Sequence, residues 1–272
     1  MEPRLLLALC GLTYRNPPEN VTLRLARGKE VPIRDMCREL LRLSDTGELP
    51  CGELRHWEWE TFSRLMHTEI DIIRYINRND SSGFVGMAFR DKRGQIVAAM
   101  RGSETSMGCA PNDIDWVDNF AAPFSVSVQY QDAEDFANAF PTDNLTLTGH
   151  SKGANNALYA LSVAMNESAR AVVFNGQGFA CDFFHAEQRR TLRQRGVNYV
   201  VADDLVGALL CHPENRIFVR GKPGVNPHAP EAFEFHDNGN PIPAMRTLRS
   251  RAIDLASRAA LPLLRRWAHA AR

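Results

Sequence analysis

Apolar positions along this chain change their period several times, and each change predicts an element. The leucine-rich run Arg4–Cys10 sits inside residues 3–15, which read as an amphipathic core helix stopped by Asn16-Pro17-Pro18. Ile33–Leu43 carries the next clear helical repeat. Trp57–Asn77 reads as another helix, because Phe62, Leu65, Met66, Ile70 and Ile73 follow one another at steps of three and four. The period then drops to two. Gly83–Arg90 and Gln95–Met100 alternate as strands, and Asp91–Gly94 joins them into a hairpin.

Asp132–Phe140 is a short helix leading into the strand Leu145–Thr148, apolar at every second position, and Ala154–Leu161 is helical again. Beyond it come a strand at Ala169–Phe174, a polar helix at Phe183–Arg195, and strands at Val197–Ala202 and Arg216–Arg220. Strands alternating with helices require parallel crossovers. The expected fold is therefore α/β: a central, mostly parallel sheet with helices on both faces, the hairpin as its antiparallel start, and an N-terminal helical segment. That segment either caps the sheet or packs against one face. No break in composition or linker divides residues 1–244, which are taken as one domain.

Residues 245–272 form a basic, helical tail. Arg246, Arg249, Arg251, Arg258, Arg265, Arg266 and Arg272 face one acid, Asp254, while Met245, Leu248, Ala252 and Leu255 form an apolar stripe. A helix docked on the protein surface is the first reading. The second is a basic amphipathic helix in peripheral contact with an anionic membrane.

Composition narrows the class. With 272 residues, 44% of them hydrophobic, the chain can bury a sizeable core. Its 32 basic and 32 acidic residues cancel, which argues against a general nucleic-acid binder. The six cysteines include no C-x-x-C pair, so buried, reduced thiols in a reducing compartment are expected rather than a disulfide framework. Arg4–Cys10 is too short an apolar run for a signal peptide and lacks a cleavage site, and no run reaches the roughly 18 residues of a membrane span. A cytoplasmic protein is expected, with export by a signal-independent secretion system as the other route.

The candidate chemistry centres on Gly149-His150-Ser151-Lys152-Gly153, a G-x-S-x-G match lying between a strand and a helix. That is the context of a nucleophile elbow, where small residues two positions either side let strand and helix pass closely and the serine projects from the turn. Ser151 needs a base, and the base needs an acid to orient it. In chain order the acid comes next, just past a strand end. Asp203 and Asp204 both fit after Val197–Ala202, and Asp204, opening the turn Asp204–Gly207, is preferred. Of the later histidines, His212 precedes the next strand, His228 lies on a post-strand loop, and His236 belongs to a turn; His228 ranks first and His236 second. Oxyanion donors are expected at Lys152, after the nucleophile, and at Ser103, on the loop after Gln95–Met100.

With Arg101-Gly102-Ser103, the elbow at 149–153 and Asp204-Leu205-Val206 in this order, the chain resembles the class 3 lipases. It resembles more closely a bacterial branch of lipase-like hydrolases whose elbow continues Gly-His-Ser-Lys-Gly-Gly-Asn, here ending Ala154-Asn155. In that branch an Asp-Gly-Pro-Gly-Phe stretch follows the next strand, here Asn175-Gly176-Gln177-Gly178-Phe179, and an Asp-Trp loop matches Asp115-Trp116. Its histidine loop usually reads Gln-His-Asp, where this chain has Pro227-His228-Ala229. The resemblance covers about residues 5–240 and implies an α/β-hydrolase with Ser151 as nucleophile, Asp204 as acid, His228 as base, and Ser103 and Lys152 as oxyanion donors. The expected activity is hydrolysis of carboxylic esters, as a lipase or phospholipase acting on acyl lipids, without metal or organic cofactor. Thioesters and amides would use the same triad. The alternative is a non-catalytic lipase-fold module that binds a lipid or protein, suggested by the altered histidine loop.

Overall fold

The computed structural model describes residues 1–50, 52–103, 123, 125–142 and 144–262. Eight strands form one sheet in chain order: β1 Val31–Pro32, β2 Ile70–Arg78, β3 Phe84–Asp91, β4 Ile96–Met100, β5 Leu145–Gly149, β6 Arg170–Phe174, β7 Gly196–Val201 and β8 Asn215–Val219. Pairing is antiparallel from β1 to β4 and parallel from β4 to β8. The register aligns Ile96 with Leu145 and Met100 with Gly149, so the loops after β4 and β5 emerge together. Parallel strands send all such loops to one sheet edge, where ligands of open α/β folds bind.

Alternation within the strands divides the core between two faces. Met87, Phe89, Val97 and Ala99 turn to one side, toward α1 (Pro3–Leu12), α2 (Glu19–Ala26), α3 (Ile33–Asp45) and α4 (His56–Leu65). Ala88, Ala98, Met100, Leu145 and Leu147 turn to the other, toward α5 (Val128–Asn138), α6 (Lys152–Val163) and α7 (Ala186–Arg195). The threonines of β5 therefore face the N-terminal layer: Thr148 Oγ1 lies 3.3 Å from Cys10 Sγ and donates to the Val172 carbonyl at 2.7 Å. The helices ahead of the hairpin pack on the sheet, with α1 against β4, β5 and β6. A mostly parallel sheet covered on both faces, with a serine turn at the end of β5, is the α/β-hydrolase fold.

Two expectations are corrected. Trp57–Asn77 is not one helix: α4 stops at Leu65, and Ile70–Arg78 is strand β2. Main-chain N–H groups of His67 and Thr68 bond back to Arg64 and Leu65, and the Thr68 hydroxyl donates to the Leu65 carbonyl, closing the helix. The β-branched Ile70, Ile72, Ile73 and Ile76 beyond it favour a pleated surface. The cysteines are not all reduced either. Cys181 and Cys211 form a disulfide, because Phe179 and Cys211 exchange main-chain hydrogen bonds and bring the two α-carbons to 5.2 Å. Cys10 and Cys37 are the buried free thiols expected, each pushed up to about 12 by burial. Cys51 and Cys109 lie outside the described residues. Among the described residues, no helix is long and apolar enough to cross a membrane.

One buried ion pair locks the end of α1 to the start of α4. Arg15 grips Glu58 with Nε–Oε1 at 2.7 Å and Nη2–Oε2 at 2.9 Å, and the Arg55 N–H adds a third bond to the carboxylate. Burial pushes the Glu58 carboxyl up, but Arg15 and the Arg55 N–H reverse this and leave it below the ordinary range. Replacing Glu58 by Ala strands the Arg15 charge, and stability should fall by about 3–5 kcal/mol. Urea unfolding measures this; a midpoint unchanged from wild type would show that the pair holds nothing together.

Candidate active site

The site begins with a strained turn. Ser151 adopts φ 57° and ψ −126°, a positive-φ conformation costly for a residue with a side chain. Two close approaches hold it there. A Cβ on Gly149 would overlap the Gly153 carbonyl, and one on Gly153 would overlap the Met100 carbonyl. Strand β5, helix α6 and the end of β4 thus meet backbone to backbone. The Ser151 N–H donates to the Phe174 carbonyl at 3.0 Å, fixing the turn to the end of β6.

Three side chains named from the sequence come together there. Ser151 Oγ lies 2.9 Å from His228 Nε2, and His228 Nδ1 lies 3.1 Å from Asp204 Oδ1. Asp204 is buried, and both its oxygens are otherwise engaged: Oδ1 accepts from the Val206 N–H at 3.2 Å and Oδ2 from the Gly207 N–H at 2.8 Å. It caps its own turn and holds the imidazole with the same carboxylate. Asp203, one residue earlier, is exposed. His236 is also exposed, in a turn closed by its N–H to the Asn240 carbonyl. His212 belongs to a second, separate acid–histidine pair, with Nδ1 2.8 Å from Glu214 Oε1 and Nε2 3.0 Å from the Leu209 carbonyl.

Sequence reasoning missed how the His228 loop is held. His150, the second residue of the elbow motif, is buried and donates from Nε2 to the His228 carbonyl at 2.7 Å. Its Nδ1 lies 3.2 Å from the Tyr14 hydroxyl at the end of α1. Burial, followed by the charge His228 can carry, pulls the His150 pKa from 6.5 to about 3, so its ring is neutral and its single N–H is committed to that carbonyl. Asn175, fully buried at φ 47°, donates from Nδ2 to the Pro227 carbonyl at 2.9 Å and the His228 carbonyl at 3.3 Å. Its Oδ1 accepts from the Val201 N–H at 3.0 Å. An aspartate, the residue the lipase-like branch carries here, would turn acceptors toward two carbonyls. Asn175 is therefore the better partner for this loop, and its departure from the branch pattern was the one signal available.

Of the expected oxyanion donors, Lys152 opens α6 directly after Ser151. Ser103 follows Gly102, where an added Cβ would meet the Tyr14 hydroxyl and the His150 carbonyl, so the loop leaving β4 runs against the elbow. Asp115 and Trp116 lie outside the described residues. One cleft of about 610 Å³ lies beside α1 and touches Leu5, Trp57 and Phe233, and one of about 550 Å³ lies between the stretch after α1 and helix α3, touching Tyr14, Leu40 and Arg101. Ser151, Asp204 and His228 line neither, so neither is assigned to substrate. Among the described residues, no group of three or more His, Cys, Asp or Glu side chains is arranged to hold a metal.

Comparison with known proteins gives a family and several distant structures. The sequence model of the Mbeg1-like family matches residues 62–259. That match starts later than the resemblance drawn from the motifs and runs further, taking in the helix at Leu248–Ala259. No curated protein matches the chain. Among solved structures, a mutant form of MDLA from Penicillium cyclopium is similar at 13% identity, covering 81% of this chain and 87% of that one, with a TM-score of 0.46. The Lip2 lipase of Yarrowia lipolytica is similar at 12% identity over 80% and 88%, with a TM-score of 0.42. A propeptide complex of the Rhizomucor miehei lipase is similar at 12% identity over 75% and 70%, with a TM-score of 0.39.

The lowered His150 pKa has a consequence for stability. Between about 3 and 6.5 the unfolded chain takes up a proton that the folded chain refuses, so the stabilisation is complete above pH 6.5 and drains away as pH falls toward 3. The loss should reach at most about 1.4 kcal/mol per pH unit from this one group. Glu58 and Glu214, both held below the ordinary 4.5, add further loss only under more acid conditions. Urea midpoints followed from pH 7 to 4.5 should fall in the wild type and fall less in His150→Gln. A wild-type midpoint that stays level over that interval contradicts the assignment.

Proposed function

Because this chain belongs to the Mbeg1-like family, a lipase-like group with the α/β-hydrolase fold, we propose that it is a serine hydrolase of carboxylic esters working through Ser151, His228 and Asp204. Lipase-type hydrolysis is the chemistry of the family level. The finer reading rests on one observation: the unbroken line Ser151 Oγ to His228 Nε2 to Asp204 Oδ1, at 2.9 and 3.1 Å. These are hydrogen-bond distances, which a nucleophile and its base require. They favour hydrolysis over a non-catalytic lipid- or protein-binding module, which would need no such contact.

In this reading the Ser151 hydroxyl attacks the acyl carbonyl as its proton passes to His228 Nε2. The Asp204 carboxylate, bonded to Nδ1, fixes the tautomer and stabilises the imidazolium that forms. Negative charge collecting on the carbonyl oxygen is met by the Lys152 N–H at the start of α6 and by Ser103. His228 then gives its proton to the departing alcohol, leaving an acyl-enzyme. Water enters by the same path in reverse and releases the acid. The clamp of His150 and Asn175 on the His228 main chain keeps the imidazole from swinging away between the two steps.

Acyl lipids are the proposed substrates, phospholipid ahead of triacylglycerol, because the basic residues after 244 suit an anionic surface. The hydrolase unit is proposed to lie within 1–244 and the tail to contribute at the lipid. Ser151→Ala should abolish both p-nitrophenyl ester turnover and labelling by a fluorophosphonate probe. Asp204→Asn should lower kcat by about 10²–10⁴ while leaving the fold intact. Wild-type protein that neither turns over soluble esters nor takes the label would end this reading.

A further inference from the structure

The helix α8 (Leu248–Ala259) docks the wrong way round for a surface helix. Its buried residues are Ser250, Asp254 and Ser257, a polar face. Met245, just before it, and Leu248 and Leu255 on it are 85%, 82% and 74% exposed. Ala252, Ala256 and Ala259 are exposed as well. The stripe that the sequence shows at Met245, Leu248, Ala252 and Leu255 points outward. Single exposed leucines are ordinary, but a continuous line of them at helical spacing is not.

Polar pins hold this orientation. Thr247, the N-cap, donates to the Ala202 carbonyl at 3.2 Å. Ser257 Oγ accepts from the Leu210 N–H at 2.9 Å, and Arg258 Nε donates to the Leu210 carbonyl at 3.3 Å. Asp254 is ringed by Arg216 at 3.1 Å, Arg246 at 2.7 Å and Arg258 at 2.6 Å, with the first two guanidinium groups lying over the Phe218 ring. Every pin on the Ala202–Leu210 side reaches the loop that presents Asp204. The helix's one acid is used up inside this contact. Its outward charges are therefore all positive, and Arg249 and Arg251 have no acidic partner among the described residues.

We propose that α8 is an interfacial helix that lies on an anionic lipid surface, seating Met245, Leu248, Ala252 and Leu255 among the acyl chains with Arg249 and Arg251 at the phosphates. An apolar stripe bordered by Arg249 and Arg251 complements a surface that is apolar within and anionic at its boundary, which is the chemistry of an anionic bilayer. The proposal rests on the reading of this chain as an ester hydrolase of lipids and gives that site its surface: the helix that meets the lipid is pinned to the loop that carries the candidate acid. Lipid contact would need no rearrangement of α8, because its stripe already faces outward.

The full-length Ser151→Ala chain, which cannot consume the lipid, is sedimented with vesicles of phosphatidylglycerol and phosphatidylcholine, and with vesicles of phosphatidylcholine alone. Binding should favour the anionic vesicles and weaken at about 0.5 M salt. Adding Leu248→Ser and Leu255→Ser should lower partitioning about tenfold or more at an unchanged melting temperature. Arg249→Glu with Arg251→Glu should erase the preference for anionic vesicles. Indifference to vesicles, or variants that bind as well as the parent, overturns the proposal. So does a concentration-dependent dimer that the leucine variants abolish, which would assign the stripe to a second copy of the chain. Sedimentation does not depend on turnover: vesicle binding without wild-type esterase activity removes the enzyme and keeps the helix, and the reverse outcome removes the helix alone.

Discussion

The site depends on one constraint, the closure of β5 and α6 around Ser151. A serine at φ 57° carries a backbone cost of order 1–3 kcal/mol, and it persists only where the surroundings leave no alternative. Here they leave none, because Gly149 and Gly153 let main chain touch main chain with no room for a Cβ. The same closure positions what comes next. It aims the His150 ring at the His228 carbonyl, brings the Ser151 N–H to Phe174, and sets Asn175 one residue further on, under the His228 loop. The elbow therefore exposes its serine and also supplies half of the clamp on the residue beside it.

Much of this was legible from the chain, and the parts that were not share a cause. The hairpin, the β5–α6 turn and the order of the later strands could be read because each rests on local periodicity or turn residues. Asp204 could be preferred over Asp203 because it opens a turn, from which its carboxylate can point along the sheet edge. Strand β2 was lost because Phe62, Leu65, Met66, Ile70 and Ile73 keep a helical step across a boundary that only the Thr68 turn reveals. The disulfide was hidden because Cys181 and Cys211 are 30 residues apart and meet only through a non-local pairing of Phe179 with Cys211. The clamp on His228 was hidden more deeply, since its acceptors are main-chain carbonyls, which every residue has. Spacing cannot single out one carbonyl.

Among the described residues, two acid–histidine pairs have a fully buried acid, and geometry alone separates them. In Glu214 and His212 both ring nitrogens are taken, one by the carboxylate and one by the Leu209 carbonyl, and the ring is 3% exposed. Asn198 also donates to Glu214, which closes the network against the end of β6. In Asp204 and His228 the second nitrogen faces a hydroxyl, and the ring is 28% exposed. Of the two, only the second pair leaves a ring nitrogen facing a hydroxyl. The first is a structural fastening for the stretch that follows the acid loop, and residue type gives no hint of the difference.

The outward stripe of α8 follows the same logic of where polar groups are satisfied. Burying Ser250, Asp254 and Ser257 would be unfavourable unless each found partners, and here each side chain does: Ser250 Oγ accepts from Arg246 Nε, Asp254 pairs with arginines and Ser257 Oγ accepts from the Leu210 N–H. Once that face is committed, the helix has no further face to offer the core, and its leucines stay in water. Each one forgoes about 1.5–3 kcal/mol that burial would supply. A helix fastened only for stability would gain more by turning its leucines inward, as α1 does with Leu6, Leu9 and Leu12. The pins of α8 instead fix its orientation relative to the Asp204 loop. Orientation is what a domain needs if a site at its sheet edge is to meet a substrate that lies in a surface.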